Sequence, residues 1–298
     1  MNLQAWWIAF RPNTLIVSIA PVFLGLALTY NSSQHNVNWL IGSLTLMAAI
    51  LIQIGTNLIN DLYDFINGAD DENRLGPIRV TQSGLLSKKQ VNRGAFLSFF
   101  FSLLIGFYLV YEGGVPILLI GLFSLVSGYC YTAGPYPLGY NGFGDIFVFI
   151  FFGVIATFGT AYLQILDNLF LSQYFYKIFL LSISVGSLNT AILVVNNIRD
   201  YDSDKLSNKK TLAVRFGQKF TCYEYMFLLI INYTCYVLVS VLLNNFITLL
   251  IMLPIPILSI LLIRKIFYYE SEDLNVLLEK TAQFSFLNAL LFFISIVI

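Results

Sequence analysis

Two stretches of this sequence hold most of the side chains that could do chemistry. Residues 60–84 read N-D-L-Y-D-F-I-N-G-A-D-D-E-N-R-L-G-P-I-R-V-T-Q-S-G, and residues 196–211 read N-N-I-R-D-Y-D-S-D-K-L-S-N-K-K-T. Together they carry eight of the 16 acidic residues: Asp61, Asp64, Asp70, Asp71 and Glu72, then Asp200, Asp202 and Asp204. If a helix runs through each, Asn60 and Asp64 share a face at i and i+4, and Asn196, Asp200 and Asp204 do so at i, i+4 and i+8. Carboxylates held together resist full ionisation unless a cation joins them, and carboxylate and amide oxygens are ligands that a hard ion such as Mg²⁺ accepts. Mg²⁺ keeps several waters and completes its shell with substrate phosphate. Arg79 in the first stretch, with Lys209 and Lys210 in the second, supplies donors to phosphate oxygens, Arg as a planar fork and Lys as a point charge. A diphosphate clamped in this way becomes a good leaving group, because the charge that develops as it departs is stabilised where it forms. That is the chemistry of ionising an allylic diphosphate.

The elements that position these residues follow from composition. A chain of 298 residues that is 58% hydrophobic and 11% charged has too little polar surface for a soluble globule. It reads as an all-α, polytopic membrane protein. Nine apolar segments are long enough to cross a bilayer: 14–30, 39–59, 95–111, 115–132, 143–166, 174–195, 223–243, 246–267 and 284–298. The first has one basic residue before it, Arg11, and reads as an uncleaved helix because further spans follow. With this assignment, fifteen of the 16 Lys and Arg residues fall on one side and only Lys177 on the other. Short basic loops stay in the cytoplasm, which places the N-terminus and both acidic stretches there and the C-terminus outside. Nothing of soluble-domain size remains, so residues 1–298 form one domain. Pairing Asn60 with Asn196 also pairs Asp64 with Asp200, which suggests an internal duplication with one acidic loop, 60–84 or 196–211, in each half.

Several other readings are weaker. The net charge is zero, which favours no nucleic-acid partner. Cys130, Cys222, Cys235 and His35 lack ligand spacing, so any metal is held by oxygen. Taking Asp200, Asp202 and Asp204 as the start of an EF-hand puts Lys205 where Gly is required and Thr211 where Glu is required. The G-x-x-G-x-G of residues 139–144 follows a membrane helix, not a strand, so a dinucleotide cradle lacks its context. Either acidic stretch alone reads as a solvated loop; two matched stretches on one side read as a site. An alcohol phosphatidyltransferase would carry Gly after the second Asp, where this chain has Phe65. An ion-coupled transporter would carry its carboxylates at mid-bilayer, whereas these lie at one edge, apart from Asp145, Asp167 and Glu224 near helix ends.

These motifs resemble the UbiA superfamily of intramembrane aromatic prenyltransferases over essentially the whole chain. The resemblance rests on N-D-x-x-D in the first stretch, D-x-x-x-D in the second and the helices around them. Within that superfamily, R-P-N-T at 11–14, G-A-D-x-x-x-R-x-G-P-x-R-V-T-Q-S-G at 68–84 and Y-T-A-G-P-Y-P-L-G-Y-N-G-F-G-D at 131–145 are similar to the branch that prenylates 1,4-dihydroxy-2-naphthoate for menaquinone. The resemblance implies a helical bundle with a lipid-open tunnel for a polyprenyl diphosphate. It also implies Mg²⁺ and diphosphate organised by Asn60, Asp64, Asp200 and Asp204, and phosphates met by Arg79 and a nearby lysine. The prenyl cation is then attacked by an electron-rich ring carbon, and the acceptor's carboxylate is lost. 4-Hydroxybenzoate and other acceptors remain alternatives, and the natural home is a bacterial inner membrane. One departure is Gly68, where the wider superfamily often has a third Asp; the next carboxylate is Asp70, and Asp61 is a further possible ligand. On the acceptor side, Arg11 is read as a partner for a carboxylate or as a basic anchor. Tyr131 and Tyr140 are read as ring-orienting residues or as parts of a structural turn.

Overall fold

The computed structural model describes residues 2–30, 36–70, 75–166, 169 and 174–297. Among these residues there are helices and turns but no strand. His35, Asp71, Glu72, Arg74 and Asp167 lie outside them. The helices are α1 (Leu3–Phe10), α2 (Pro12–Tyr30), α3 (Trp39–Ile66), α4 (Lys88–Cys130), α5 (Gly144–Phe149), α6 (Ala156–Ile165), α7 (Phe175–Arg199), α8 (Tyr201–Leu206), α9 (Leu212–Phe216), α10 (Gln218–Leu243), α11 (Phe246–Ile251), α12 (Pro254–Ile266) and α13 (Asp273–Val297). Their starts are set by local chemistry. Asn38 accepts the Ile41 N–H ahead of α3, Asn245 caps α11, and Ser87 with Gln90 forms a reciprocal capping box ahead of α4.

Nine spans were expected; eight helices among the described residues are long and apolar enough to cross a membrane. The difference lies in α4, whose 43 residues cover the third expected segment and all but the last two residues of the fourth. A helix of that length would reach roughly 65 Å, about twice the hydrocarbon thickness. It does not run straight. Gly114 leaves helical geometry (φ 65°, ψ −153°) just ahead of Pro116, a conformation that a side chain would resist. The limbs on either side then pack against the same stretch of α3, with the Phe99 ring over Gly55 and Gly128 against the Thr56 hydroxyl.

α7 is the central element, packed against α10, α13, α2 and the α5–α6 segment. Between α5 and α6, Ile150–Ile155 form a π-helical turn. Here Gly153 meets Gly186 of α7 so closely that an added Cβ would lie 2.4 Å from the Gly186 Cα. Asn189, one turn further along α7, donates to the Phe152 carbonyl (2.7 Å) and to the Val17 carbonyl of α2 (2.8 Å). This buried amide joins three helices beneath the site and satisfies a carbonyl within the wide π turn.

Candidate active site

Both acidic stretches emerge from the C-terminal ends of long helices, the first from α3 and the second from α7. In the first, the expected i, i+4 pairing holds: the Asn60 amide donates to Asp64 at 2.8 Å on a continuous turn of α3. In the second, the helix breaks. α7 ends at Arg199, Asp200 takes a non-helical conformation (φ −88°, ψ 11°), and α8 restarts at Tyr201. The backbone bonds from Asp200 to Asn196 (3.0 Å) and from Asp204 to Asp200 (2.8 Å) keep the three residues stacked through this break.

Asp64 is the hub. One of its oxygens accepts from the Tyr140 hydroxyl at 2.9 Å; the other lies 3.7 Å from Arg79 and 3.9 Å from Lys209. Arg79 also pairs with Asp70 at 3.1 Å, and Lys209 with Asp204 at 3.5 Å. Lys209 therefore bridges the two acidic stretches, and its ammonium lies 5.3 Å from the centre of the Tyr140 ring. Burial works against the Lys209 charge, but attraction from Asp64, Asp204, Asp200 and Asp70 outweighs it and holds the ammonium above its ordinary range. Burial pushes the Asp204 carboxyl up to about 6, with repulsion from Asp200 and Asp64 adding to the shift and Lys209 opposing it. Burial and the Asp64 charge likewise raise the Tyr140 hydroxyl, which therefore stays protonated and keeps donating.

Other residues take supporting positions. Both carboxylate oxygens of Asp61 are occupied by backbone N–H groups, from Val80 (3.1 Å) and Thr81 (2.9 Å). Asp61 thus pins the return of the first loop and presents Arg79 to Asp64, and it points away from the cluster. Lys210 is exposed; its backbone N–H holds the Tyr140 carbonyl at 2.9 Å. Arg11, in a left-handed conformation (φ 53°) between α1 and α2, sends its guanidinium to the Asn60 amide oxygen at 2.9 Å. Arg11 therefore reaches the site itself. A residue whose place was not foreseen is Arg199, which grips both oxygens of Asp200 at 2.7 Å and also reaches Asn196 and Asn275. Asn275 of α13 in turn donates to the Leu75 carbonyl in the first loop. The only hint of Arg199 in the sequence is its place beside Asp200 in N-N-I-R-D.

Of these residues, Asn60, Asp64, Arg79, Asn196 and Lys209 line one wall of a polar cavity of about 160 Å³, bounded also by Arg11, Tyr131, Asp145 and Asn189. A second cavity of about 200 Å³, almost wholly apolar, runs between α3, both limbs of α4 and the α5–α6 segment. The two share Thr56, Tyr131, Val148 and Phe152, so a charged chamber and a greasy one adjoin across a common wall. Leu103, Phe107, Leu118 and Leu122 line the apolar part and are themselves exposed on the outer face of α4, which opens it sideways toward lipid.

Comparison with known proteins agrees with this geometry. The family model for the UbiA prenyltransferase family matches residues 18–295. The chain belongs to the UbiA prenyltransferase family. The 1,4-dihydroxy-2-naphthoate octaprenyltransferase of Haemophilus influenzae is 34% identical to this UbiA-family chain over 97% of its length and 94% of the relative's. Among solved structures, a UbiA homolog from Aeropyrum pernix superposes with a TM-score of 0.70 at 13% identity, covering 96% of this chain and 98% of its own. A homolog from Archaeoglobus fulgidus, bound to GPP and Mg²⁺, gives 0.68 at 16% identity over 99% and 100% of the two chains. These structures share the fold.

The donors of this UbiA-family site suit a hard divalent ion that brings phosphate with it. Asp64 and Asp204 face one cation from opposite loops, and one buried Asp204 oxygen has no hydrogen-bond partner among the described residues. No three His, Cys, Asp or Glu side chains among the described residues close a metal site by themselves.

Proposed function

We propose that this chain transfers a polyprenyl group from its diphosphate to 1,4-dihydroxy-2-naphthoate, with loss of the acceptor's carboxylate as CO₂, a step of menaquinone biosynthesis. The observation that carries this reading is a pair of adjoining cavities, a polar one lined by Asp64, Arg79 and Lys209, the last paired with Asp204, and an apolar one that opens toward lipid. A long prenyl chain lies in the apolar part with its diphosphate at the cluster. Arg79 donates a planar fork to the phosphates, and Lys209, held charged between Asp64 and Asp204, adds a point charge to the departing group. Mg²⁺ held by Asn60, Asp64, Asp200 and Asp204, with Asp70 as a further oxygen donor behind Arg79, supplies the remaining neutralisation of charge on the leaving diphosphate. Apolar and aromatic walls, open only toward lipid, keep water from the allylic cation. Tyr131 borders both cavities and sits where prenyl C1 and the ring would meet, while Arg11 takes the acceptor's carboxylate. The chain lies in a bacterial cell membrane with both acidic loops cytoplasmic and the end of α13 on the outer face, as two pseudo-repeats with α3 and α7 as equivalent helices.

The test is turnover by purified protein in detergent with a long-chain prenyl diphosphate, Mg²⁺ or EDTA, and dihydroxynaphthoate beside 4-hydroxybenzoate. Mg²⁺-dependent, decarboxylated prenyl-naphthoquinol is expected. Product from hydroxybenzoate alone overturns the acceptor, and no product from folded protein overturns the reaction.

A further inference from the structure

The polar cavity has a second side that the diphosphate chemistry leaves unused. Asp145 opens α5 and lines this cavity, yet it belongs to neither acidic stretch. It is 5% exposed, and its Oδ1 is fully buried without a hydrogen-bond partner among the described residues. The Thr190 hydroxyl meets its backbone carbonyl at 3.5 Å and Tyr131 stands beside it, while the charged groups Arg11, Asp64, Arg79 and Lys209 line the same cavity. Glu224 of α10 is close enough for the two carboxylates to repel, and its Oε2 is likewise buried without a partner. Gly144 makes room here, since a Cβ at that position would lie 3.0 Å from the Tyr131 hydroxyl.

A buried carboxylate with an open lone pair is unfavourable unless a donor meets it. Phosphate is the wrong partner, because both are acceptors and both are negative. A ring hydroxyl is the right one. On the proposed reaction, the acceptor brings a carboxylate, which suits the Arg11 guanidinium on the same cavity, and ring hydroxyls, which suit Asp145.

We propose that Asp145 is the general base that activates the aromatic acceptor. This inference rests on the reaction assigned above. The hydroxyl O–H bond of the acceptor breaks and its proton goes to Asp145 Oδ1. The electron pair left on oxygen is released into the ring, whose carbon forms the new bond to prenyl C1 as the C1–O bond to diphosphate breaks and its electron pair leaves with the diphosphate. The bond from the ring to the carboxylate then breaks, CO₂ leaves, the released electron pair restores the aromatic ring, and the ring oxygen takes its proton back from Asp145. Tyr131, between the two cavities, keeps the ring over C1 while this happens.

Asp145→Asn keeps the shape and removes the base; Asp145→Glu keeps the base but shifts it by one methylene. Each is purified alongside the wild-type protein and assayed with dihydroxynaphthoate, a long-chain prenyl diphosphate and Mg²⁺ across a range of pH. Asp145→Asn is expected to lose about 10²–10⁴-fold in kcat with the KM for prenyl diphosphate and the Mg²⁺ dependence unchanged. Its residual rate is expected to climb with pH as the acceptor ionises unaided. Asp145→Glu is expected to recover part of the rate and the wild-type pH profile, which a purely structural role would not restore. Asp145→Asn within about threefold of wild type, or a loss that appears in the KM for prenyl diphosphate, overturns the assignment of Asp145 alone. If Asp145→Asn does not fold, a wild-type pH profile missing from folded Asp145→Glu overturns it. Absence of product from the wild-type protein overturns the reaction assigned above and this inference with it.

Discussion

Lys209 stands between the two acidic loops, so replacing it with Gln tests whether one cation holds them together. The ammonium lies 3.9 Å from Asp64 and 3.5 Å from Asp204, with both carboxylates buried. At an effective dielectric constant of about 20, each attraction is about 4–5 kcal/mol before desolvation is counted. Desolvation offsets part of that, and removing one member of a buried ion pair typically costs about 3–5 kcal/mol because the partner charge stays behind. For a chain of this size, about 2 °C of melting temperature per kcal/mol gives an expected loss of about 6–10 °C. The same reasoning fixes the sign of the metal's effect. With Lys209 gone the cluster is one charge more negative, so Mg²⁺ binds more tightly and raises the melting temperature of the variant more than that of the wild type. Turnover moves the other way, because the point charge on the departing diphosphate is lost. The assay is thermal melting in detergent with EDTA or with graded Mg²⁺, followed by initial rates. A variant that melts within about 2 °C of wild type, or that gains no more from Mg²⁺ than wild type does, refutes the bridging role.

Arg79→Lys keeps a positive charge beside Asp64 and Asp70 but loses the planar fork; steady-state kinetics should show a KM for prenyl diphosphate raised about tenfold or more. The Asp204 carboxyl, raised to about 6 in the folded protein, binds more protons folded than unfolded between about pH 4 and 6. Its contribution to the stability of the metal-free protein is therefore present at low pH and lost as pH rises through 6, while Mg²⁺ affinity, which needs the carboxylate, falls as pH drops below 6. Melting curves with EDTA and with Mg²⁺ across pH 4–8 should show these opposite slopes. Gly153→Ala puts a Cβ 2.4 Å from the Gly186 backbone; separating two packed helices by even a fraction of an ångström is expected to cost about 1–3 kcal/mol, read as a lower melting temperature and a lower yield of folded protein.

Much of the site was legible from local pattern. Asn60 and Asp64 meet because four residues make one turn of helix, and Arg79 and Lys209 find carboxylates because oppositely charged groups at one membrane edge have few other partners. The sequence reading went astray where backbone geometry departed from regular helix. Asp200 does not continue α7, whereas the expected division of residues 88–130 falls at Gly114, where the backbone leaves helical geometry and two limbs part. Asp61, one residue from Asn60, was a plausible metal ligand by type; a rotation of about 100° per residue along a helix turns it toward the backbone of Val80 and Thr81 instead.

Membrane class, helix positions and the pairing of two acidic stretches are properties of hydropathy, length and helical period, all of which act over one or two turns of chain. The sequence alone determined these. The tertiary structure decided which cation serves which acid, and three of its choices have no local signal: Arg199 reaching Asn275 across 76 residues, Arg11 arriving at Asn60 from 49 residues away, and the Asp145 Oδ1 standing buried without a partner among the described residues. Each depends on how far neighbouring helices rotate and how closely they approach. At Gly153 and Gly186 that approach is set by the absence of side chains, where hydropathy is silent and only packing in three dimensions has a preference.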